Sequence, residues 1–210
     1  IIEQGSPEWF AARLGKVTAS RVADVIAKTK SGWAASRDNY MAELITERLT
    51  GIAAERYSNA AMQWGNDQEA SARAAYQFEV GMIVGKVGFV PHPKIAMTGA
   101  SPDGLVSADG LIEIKCPEKT ANHLSTLIGQ AAPTRYVSQM QWQLACTGRA
   151  WCDFLSYDPR LPENMRLFVK RVPRDGVYIA ELEEQVRLFL NELDQKLAAL
   201  NARYGLEKAA

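Results

Sequence analysis

Residues 101–115 read SPDGLVSADGLIEIK and predict a β-hairpin. Apolar segments flank the Asp109-Gly110 pair, which is a strong local signal for two antiparallel strands joined by a tight turn. Because side chains along a strand alternate between its two faces, Glu113 and Lys115 point to one side and the neighbouring isoleucines to the other. The sequence therefore predicts a carboxylate and an ammonium on the same face of one strand.

The hairpin carries the residue types of a metal site. Asp103 can meet Glu113 at one hard divalent ion, since Mg²⁺ is bound through one or two carboxylates and keeps several waters. One such water would be the nucleophile, and Lys115 is placed to orient or deprotonate it, with a nearby cation lowering the pKa of the lysine. A surface hairpin with a cross-strand ion pair, worth about 0 to 1 kcal/mol, explains the same spacing, so the residues alone leave both interpretations open.

A wider pattern resembles the phage lambda exonuclease and YqaJ-like viral recombinase nuclease family, within the PD-(D/E)XK superfamily. Pro102-Asp103 and Glu113-Ile114-Lys115 match the two halves of the superfamily motif, and ordered blocks extend the resemblance over most of the chain. The further blocks are Trp9 with Arg13-Leu14-Gly15, Thr18-Ala19-Ser20, residues 61–69 around Trp64-Gly65, Tyr136 with Gln139-Met140-Gln141, and Tyr157-Asp158-Pro159-Arg160. Together they are far more specific than the short motif.

The resemblance implies a fold and an activity. The fold is an α/β restriction-endonuclease-like core, a central mixed sheet flanked by helices, in a single nuclease domain over residues 1–210. The activity is Mg²⁺-dependent, processive 5′-to-3′ exonuclease action on linear double-stranded DNA with 5′-phosphorylated ends. It releases mononucleotides and leaves 3′ single-stranded overhangs for recombination by strand annealing. A homotrimeric ring and a phage-type single-strand annealing protein as partner are also implied.

The resemblance also assigns the metal site. Asp103, Glu113, the Ile114 carbonyl and Glu69 would hold one or two Mg²⁺ ions, with Mn²⁺ as a substitute. Helix geometry by itself favours a solvated side chain for Glu69. Gln139 matches a family glutamine beside the metals, where a neutral amide could bond both Lys115 and the attacking water; a glutamine on a helix surface is an equal alternative.

The N-terminal blocks predict a phosphate site. Pro7 opens a short helix after Ser6, and Thr18 or Ser20 is expected to cap a helical segment over residues 21–28. A helix start and an arginine suit a phosphate, although an ordinary cap and a surface arginine also fit. By resemblance, Arg13 and Ser20, with Ser101 and Trp9, hold the 5′-phosphate of the degraded strand, and Lys30 in the loop at 28–37 pushes between the strands.

Element predictions follow the hydrophobic spacing. The sequence predicts helices over residues 37–49, 58–78, 122–128 and 134–146, and strands over residues 82–90, 94–98, 151–157 and 166–172. The inward stripe of the 58–78 helix is predicted as Ala61, Trp64, Ser71, Ala75 and Phe78, with Glu69 at its flank. A final helix carries a stripe that serves either the core or subunit packing: Leu182, Val186, Phe189, Leu193, Leu197 and Leu200.

Composition excludes several classes of protein. The 210 residues are 47% hydrophobic and 23% charged, which suffices for one sizeable core, and they contain no apolar run long enough to span a membrane and no secretory signal pattern. We therefore expect an intracellular protein, and the family resemblance implies that it acts in the cytoplasm of a bacterial host cell and is encoded by a phage or prophage. The 24 basic and 24 acidic residues cancel, which disfavours a purely electrostatic DNA-coating protein but not an enzyme with carboxylates at its centre.

Other cofactor chemistries find no support. The three cysteines form no CxxC pair and are one short of the four thiolates of an iron-sulfur cluster, so reduced, buried thiols are expected. Neither His92 nor His123 has ligand spacing, and the chain has neither a Ser, His and Asp set nor a GxxxxGK[ST] loop for ATP. Any DNA degradation must then be driven by hydrolysis itself.

Two rival functions remain. An endonuclease with the same core would use the same carboxylates but would cut closed circles. A catalytically silent DNA-binding or scaffold protein is the alternative that is not an enzyme. Its usual sign is loss of an acid or of the lysine, whereas Asp103, Glu113 and Lys115 are all present.

Overall fold

The computed structural model describes residues 2–53 and 60–205, and it shows an α/β fold in which sheets are flanked by helices. The helices in this part of the chain are α1 (Pro7–Arg13), α2 (Val22–Val25), α3 (Ala35–Thr50), α4 (Ala60–Val80), α5 (Thr120–Gly129), α6 (Val137–Thr147) and α7 (Gly176–Tyr204). The strands are β1 (Val17–Thr18), β2 (Lys28–Thr29), β3 (Gly32–Trp33), β4 (Val84–Gly85), β5 (Val90–Pro91), β6 (Thr98–Ala100), β7 (Gly104–Val106), β8 (Gly110–Lys115), β9 (Trp151–Tyr157) and β10 (Leu167–Pro173).

The main sheet is mixed, as predicted. Its five strands run in the order β10-β9-β8-β7-β4, with β8 and β9 parallel and the other neighbours antiparallel. A three-stranded sheet, β1-β6-β5, and the small β2-β3 hairpin lie apart from it. None of the helices in the described ranges is long and apolar enough to cross a membrane.

The predicted hairpin is confirmed as β7 and β8, but its turn differs from the expectation. Val106 pairs with Gly110, so the turn consists of residues 107–109, and the positive φ of 49° falls on Ser107. Gly110 is a strand residue. A Cβ at that position would lie 2.1 Å from the ring of Trp151 on β9, so packing under this ring, and not the turn, requires the glycine.

Hydrophobic side chains fill both faces of the main sheet. Helix α4 covers one face and α6 covers the other, so successive residues of β8 enter different clusters. The α4 side contains Ala72, Tyr76, Val84, Val106, Ile112, Ile114, Cys116, Leu155 and Tyr157. The α6 side contains Leu111, Met140, Leu144, Ala145, Cys152, Phe154, Phe168 and Ile179. The expected alternation along the 110–115 strand is confirmed.

The inward face of α4 is rotated from the predicted stripe. Phe78 is 91% exposed, and the fully buried positions are Ala72 and Tyr76. The Tyr76 ring is buried in the α4-side cluster, and its hydroxyl donates to Oδ2 of the buried Asp153 at 2.8 Å, so this face of α4 makes both apolar and polar contacts with the sheet. This rotation, about one residue step, places Glu69 closer to the sheet than the predicted stripe implied. The predicted start of the helix at residue 58 lies outside the described residues.

Helix α7 docks on the core along its predicted stripe. Leu182, Val186, Phe189 and Leu193 are all buried in a cluster with α2, α3 and α6, so the core interpretation of these four positions is confirmed. Arg37, the last residue of the predicted 28–37 loop and the first of the predicted 37–49 helix, lies within α3, is only 3% exposed and pairs with Glu192 of α7 at 2.9 Å. Helix α3 begins two residues earlier than predicted, which moves Arg37 into the core.

Three other sequence predictions were wrong in their boundaries. The predicted 82–90 strand splits into β4 and β5, which join different sheets, and the 94–98 strand shifts to β6 after Met97, whose φ is 60°. The predicted capped helix at 21–28 is a 3-10 turn followed by the four residues of α2, and the Thr18 side chain makes no capping bond. Pairing of β2 with β3 removes residue 28 onward from the helix.

The cysteines and histidines have structural roles. Cys116, Cys146 and Cys152 are buried free thiols, as expected. His92 is buried and stacks on Trp142, and its Nδ1 accepts backbone N–H groups at 3.2 Å. The two ring nitrogens of His123 bond the Ser156 hydroxyl and the Met165 carbonyl, so this buried ring has a partner on each side.

Candidate active site

A cleft of about 640 Å³ lies where the β7-β8 hairpin meets α1, α4 and α6. It brings together every site residue predicted from the sequence except Lys30: Trp9, Arg13, Ser20, Glu69, Ser101, Asp103, Glu113, Ile114, Lys115 and Gln139. Lys30 is an exposed residue in the turn between β2 and β3 and does not line the cleft.

Asp103 sits at the mouth of the hairpin. The pairing of β7 with β8 ends at Gly104 and Ile112, and the Asp103 side chain continues it by accepting the Ile114 N–H at 2.6 Å through Oδ2. Burial, and after it the negative charge of Glu113, raises the pKa of the Asp103 carboxyl well above its usual range; Lys115 and the Ile114 N–H act in the opposite direction. A cation bound to this carboxylate would offset both the cost of burying its charge and the repulsion from Glu113.

Glu113 is a buried carboxylate held by three donors. Its Oε1 accepts from Gln139 Nε2 at 2.7 Å and from Lys115 Nζ at 2.6 Å, and its Oε2 accepts from Gln143 Nε2 at 2.6 Å. The two glutamines are four residues apart on α6, so both reach the α6 side of β8. Gln143 was not predicted as a site residue, although the sequence places it on the same helix face as Gln139.

Lys115 is a charged donor in this arrangement. Burial opposes its charge, but the carboxylates of Glu113 and Asp103 outweigh that effect and raise its pKa. Its ammonium also lies 4.8 Å from the centre of the Tyr136 ring. The sequence analysis expected a lowered pKa for Lys115. That would require a bound cation nearby, because the carboxylates around Lys115 raise its pKa.

Glu69 contributes from α4. Its side chain is 40% exposed, and Oε1 accepts from Arg73 Nη2 at 2.6 Å. Within residues 2–53 and 60–205, no three His, Cys, Asp or Glu side chains are already grouped to hold a metal ion. Asp103, just before β7, and Glu113 on β8 line the cleft together, and Glu69 is a third carboxylate in the same cleft.

The carboxylate oxygens of Asp103 and Glu113 are suitable ligands for a hard cation. Among the described hydrogen bonds, Oδ2 of Asp103 is occupied, Glu113 Oε1 accepts two bonds and Oε2 accepts one. Since a carboxylate offers about four lone pairs, Oδ1 of Asp103 and one lone pair of Glu113 Oε2 remain for a ligand. Two carboxylates, with waters completing the shell, are typical of Mg²⁺ sites.

The other end of the cleft carries cationic and hydroxyl groups. Trp9 donates through Nε1 to Ser101 Oγ at 2.9 Å, which ties α1 to the loop that carries Asp103. The Arg13 guanidinium lies 3.8 Å from the centre of the Trp9 ring. The hydroxyls of Ser20 and Thr18 are 3.4 Å apart. A phosphate at this end would meet an arginine fork and two hydroxyls, without the helix start that the sequence suggested.

Helix α3 fixes the turn that follows Arg13. Glu47 Oε2 accepts the Gly15 N–H at 2.7 Å, and Arg48 Nε donates to the Gly15 carbonyl at 2.8 Å. Gly15 has a φ of +65°, and a Cβ there would lie 2.7 Å from the Arg48 side chain. No local sequence signal predicted that residues over thirty positions away would hold the turn that follows Arg13.

Solved structures with this architecture are similar to the chain. An alkaline exonuclease from Laribacter hongkongensis is 55% identical, with a TM-score of 0.89 over 95% of this chain and 98% of that one. A structure of the same Laribacter protein in complex with dAMP gives a TM-score of 0.90. A phage related exonuclease from Haemophilus somnus, 17% identical, has the same fold with a TM-score of 0.72 over 91% of this chain and 99% of that one.

A viral relative and a family model extend the comparison. An uncharacterized mimivirus protein, R354 of Acanthamoeba polyphaga mimivirus, is 29% identical over 166 residues, which are 73% of this chain and 29% of that protein. This chain thus spans under a third of that relative. Residues 8–150 match the YqaJ-like viral recombinase domain, a region that contains both motif halves, Arg13 and both Glu113-bound glutamines. With its restriction-endonuclease-like fold, the chain belongs to the YqaJ-like viral recombinase family.

Proposed function

We propose that this protein is a metal-dependent DNA exonuclease that degrades linear double-stranded DNA from 5′ ends in the 5′-to-3′ direction. The observation that carries this proposal is the single cleft that joins Asp103, Glu113 and Lys115 to Arg13 and Ser20. The similarity to the Laribacter alkaline exonuclease, at 55% identity over nearly the whole chain, supports nuclease activity.

The metal-binding residues would be Asp103, Glu113 and the Ile114 carbonyl. Glu69 would bind directly or through a water. The family resemblance favours one or two Mg²⁺ ions, with Mn²⁺ as a substitute. A bound divalent ion supplies an activated water near neutral pH and charge neutralisation at the phosphate.

The protein groups around the carboxylates position the reaction. Gln139 and Gln143 hold the Glu113 carboxylate by both oxygens, which fixes its orientation. Lys115, kept cationic by the same carboxylates, orients the attacking water and stabilises negative charge that develops on the phosphate. Gln139, a neutral amide beside Lys115, assists in placing the water without altering the local charge.

The far end of the cleft would select a strand terminus. Arg13 can bind a terminal 5′-phosphate through two parallel bonds, with Ser20, Ser101 and Trp9 beside it. A 5′-phosphate held at Arg13 would limit how far the DNA strand enters the cleft. The phosphodiester bond that then lies at Asp103 and Glu113 would be the one on the 3′ side of the terminal nucleotide. On this proposal, Lys30 projects from the β2-β3 turn toward the separating strands.

Further properties of the proposal rest on the family resemblance. These are processive action, release of mononucleotides and 3′ single-stranded overhangs for strand annealing. A homotrimeric ring around DNA and a phage-type single-strand annealing protein as partner complete it. The site of action would be the cytoplasm of a bacterial host, with the gene carried by a phage or prophage.

The test is a cleavage assay on defined ends. Purified protein is incubated with end-labelled linear duplex DNA carrying a 5′-phosphate or a 5′-hydroxyl, with Mg²⁺ or with chelator, beside a closed circle. We expect Mg²⁺-dependent loss of 5′ nucleotides from the linear DNA, faster with the phosphate. Cutting of the circle would indicate an endonuclease, and binding without any cleavage would indicate a scaffold; either would overturn the proposal.

A further inference from the structure

The side-chain amide of Gln143 has one partnered atom and one without a partner. Gln143 is fully buried on α6, and its Nε2 donates to Glu113 Oε2 at 2.6 Å. Its Oε1 is also buried, and no donor among the described residues reaches it. Because a buried oxygen without a hydrogen bond has lost its hydration and gained no bond in exchange, such an atom in a folded protein points to a ligand or a bound water.

The contact with Glu113 fixes the direction of the amide. A carboxylate oxygen only accepts hydrogen bonds, so Nε2 must face Glu113, since the reversed amide would place two oxygens 2.6 Å apart. The nitrogen and oxygen of an amide are attached to the same carbon. Oε1 of Gln143 therefore lies beside Glu113 Oε2, the carboxylate oxygen that keeps a lone pair for a ligand.

Gln141, on the same helix, is a structural glutamine with which Gln143 can be compared. It is 2% exposed, its Nε2 donates to the Pro173 carbonyl at 2.8 Å, and its Oε1 accepts the Asp175 N–H at 2.9 Å. Backbone groups thus bind both ends of its amide, and Gln141 does not line the cleft. Gln143 does line the cleft, and only its nitrogen has a partner among the described residues.

We propose that Gln143 is a positioning residue for the divalent ion: its Nε2 orients Glu113, and its Oε1 accepts a hydrogen bond from a water that the ion retains. This inference rests on the proposed function, which places the ion at Asp103 and Glu113. Mg²⁺ binds through one or two carboxylates and keeps several waters, and each of these waters is a hydrogen-bond donor. A neutral amide can accept from such a water without adding charge to a cleft that already contains three carboxylates.

The two glutamines that hold Glu113 would then have different roles. Gln139 donates to Oε1 of Glu113, the oxygen that also accepts from Lys115. Gln143 binds the other carboxylate oxygen and is the one of the two whose own oxygen is buried without a donor. Residues that orient metal ligands from outside the coordination shell contribute about 10- to 100-fold to metal affinity, and we assign this contribution to Gln143.

Metal binding in the absence of DNA tests the inference. Electron paramagnetic resonance of free Mn²⁺ gives the affinity of the wild type and of Gln143→Met, in which an apolar side chain of similar length replaces the amide. We expect Gln143→Met to bind Mn²⁺ about 10- to 100-fold more weakly. Gln141→Met, the matched control, should lower the melting temperature and leave the Mn²⁺ affinity unchanged. Equal affinities of the wild type and Gln143→Met, or equal losses in both variants, would overturn the inference.

A crystal structure of the wild type with Mn²⁺ tests the role of the oxygen separately from that of the nitrogen and does not depend on the folding of a variant. We expect a water that is bound to the ion and lies about 2.5 to 3.0 Å from Gln143 Oε1. A protein donor on Oε1, direct binding of Oε1 to the ion, or a water on Oε1 that does not contact the ion would each overturn the inference.

Cleavage of linear duplex DNA separates this inference from the proposed function. Weaker Mn²⁺ binding by Gln143→Met, found together with a wild type that degrades no DNA, would keep the role of Gln143 and reject the exonuclease. Mg²⁺-dependent degradation by the wild type, together with equal Mn²⁺ affinities of the two proteins, would reject the role of Gln143 alone. Failure of the wild type to bind Mn²⁺ or Mg²⁺ would reject both.

Discussion

At the scale of single residues, Lys115 carries the clearest prediction. Its ammonium lies 2.6 Å from Glu113 Oε1, and the residue lines the cleft. We expect Lys115→Ala to reduce cleavage by about 10² to 10³, the range for loss of one donor that stabilises charge in the transition state, because the attacking water also loses its orienting cation. Single-turnover cleavage of labelled linear DNA measures this effect, and anisotropy of the same DNA should show nearly unchanged binding.

The control for Lys115 lies four residues further along. Lys119 is exposed and outside the cleft, so Lys119→Ala should retain wild-type turnover. Normal cleavage by Lys115→Ala would remove the lysine from the mechanism, and equal losses in both variants would point to general loss of positive charge.

We expect the ionised Asp103 carboxylate to lower the stability of the folded protein while it provides a ligand for the metal. Its carboxyl has a raised pKa in the folded protein, chiefly through burial and then Glu113. Ionisation therefore destabilises the folded state above that pKa, and the penalty disappears as the pH falls below the value in the unfolded chain. We expect Asp103→Asn, measured in chelator, to unfold at a higher temperature than the wild type at alkaline pH, with the gap closing in acid.

Two comparisons sharpen the Asp103 experiment. Asp109→Asn, at an exposed position in the turn of the same hairpin, should not reproduce the pH-dependent gap. Mg²⁺ should raise the melting temperature of the wild type but not of Asp103→Asn, since a ligand stabilises only the state that binds it. A variant less stable than the wild type at all pH values would contradict the expected penalty for ionising Asp103, since the Asn amide oxygen can still accept the Ile114 N–H.

Arg13 predicts the end preference. A charge-assisted bond to phosphate is worth about 1.5 to 3 kcal/mol, so Arg13→Ala should lose about 10- to 100-fold of kcat/KM on 5′-phosphorylated DNA and little on 5′-hydroxyl DNA. Arg13→Lys keeps the charge without the planar fork and should show an intermediate preference. An undiminished preference in Arg13→Ala would place the phosphate elsewhere.

At the scale of elements, the hairpin depends on a glycine that packs under an aromatic ring. A Cβ at Gly110 would lie 2.1 Å from Trp151, whose other contacts include Arg171 at 3.5 Å from the ring centre. We expect Gly110→Ala to destabilise the protein by about 1 to 3 kcal/mol, since overpacking must displace the ring. Urea unfolding measures it. Gly129→Ala, in open space at the end of α5, should be neutral or stabilising.

Elements with a two-residue or strong helical period could be predicted from the sequence. The alternation along residues 110–115 placed Glu113 and Lys115 on one face correctly, and the stripe of α7 identified its core side. The position of the inward face of α4 could not be predicted, because the partner that decides it is Asp153 on β9, which is distant in sequence from Tyr76. The hydrophobic spacing along a helix gives no information about a contact with a residue so distant in the sequence.

The candidate site shows the same limit. The motif residues were predicted with the family resemblance, and the structure brings them into one cleft. Gln143 was not predicted as a site residue although its spacing from Gln139 places both on one face of α6, and the support of Gly15 by Glu47 and Arg48 depends on how α3 packs against the turn. The sequence predicted β4 and β5 as one strand because Gly85 and Gly88 do not interrupt the apolar pattern between Val84 and Val90.

At the scale of the whole molecule, the cancelled charge has a consequence for DNA binding. The 24 basic and 24 acidic residues give no net attraction for a polyanion, and the cleft gathers three carboxylates: Asp103, Glu113 and Glu69. Without a cation these carboxylates repel a phosphate that enters the cleft. Affinity for DNA ends should therefore depend on a divalent ion that neutralises the carboxylates.

We expect Ca²⁺, used as an oxygen-binding ion in place of Mg²⁺, to strengthen binding of linear 5′-phosphorylated DNA by about tenfold relative to chelator, equivalent to about 1.4 kcal/mol. Fluorescence anisotropy at constant ionic strength measures it. The sign is diagnostic, because a divalent ion weakens ordinary phosphate contacts by competing as a counterion, so a protein without a carboxylate site would bind more weakly. Glu113→Gln should reduce the gain while leaving binding in chelator unchanged or tighter. Weaker binding of the wild type in Ca²⁺ would mean that phosphate contacts outside the cleft dominate DNA binding and that the cleft carboxylates do not meet the phosphate.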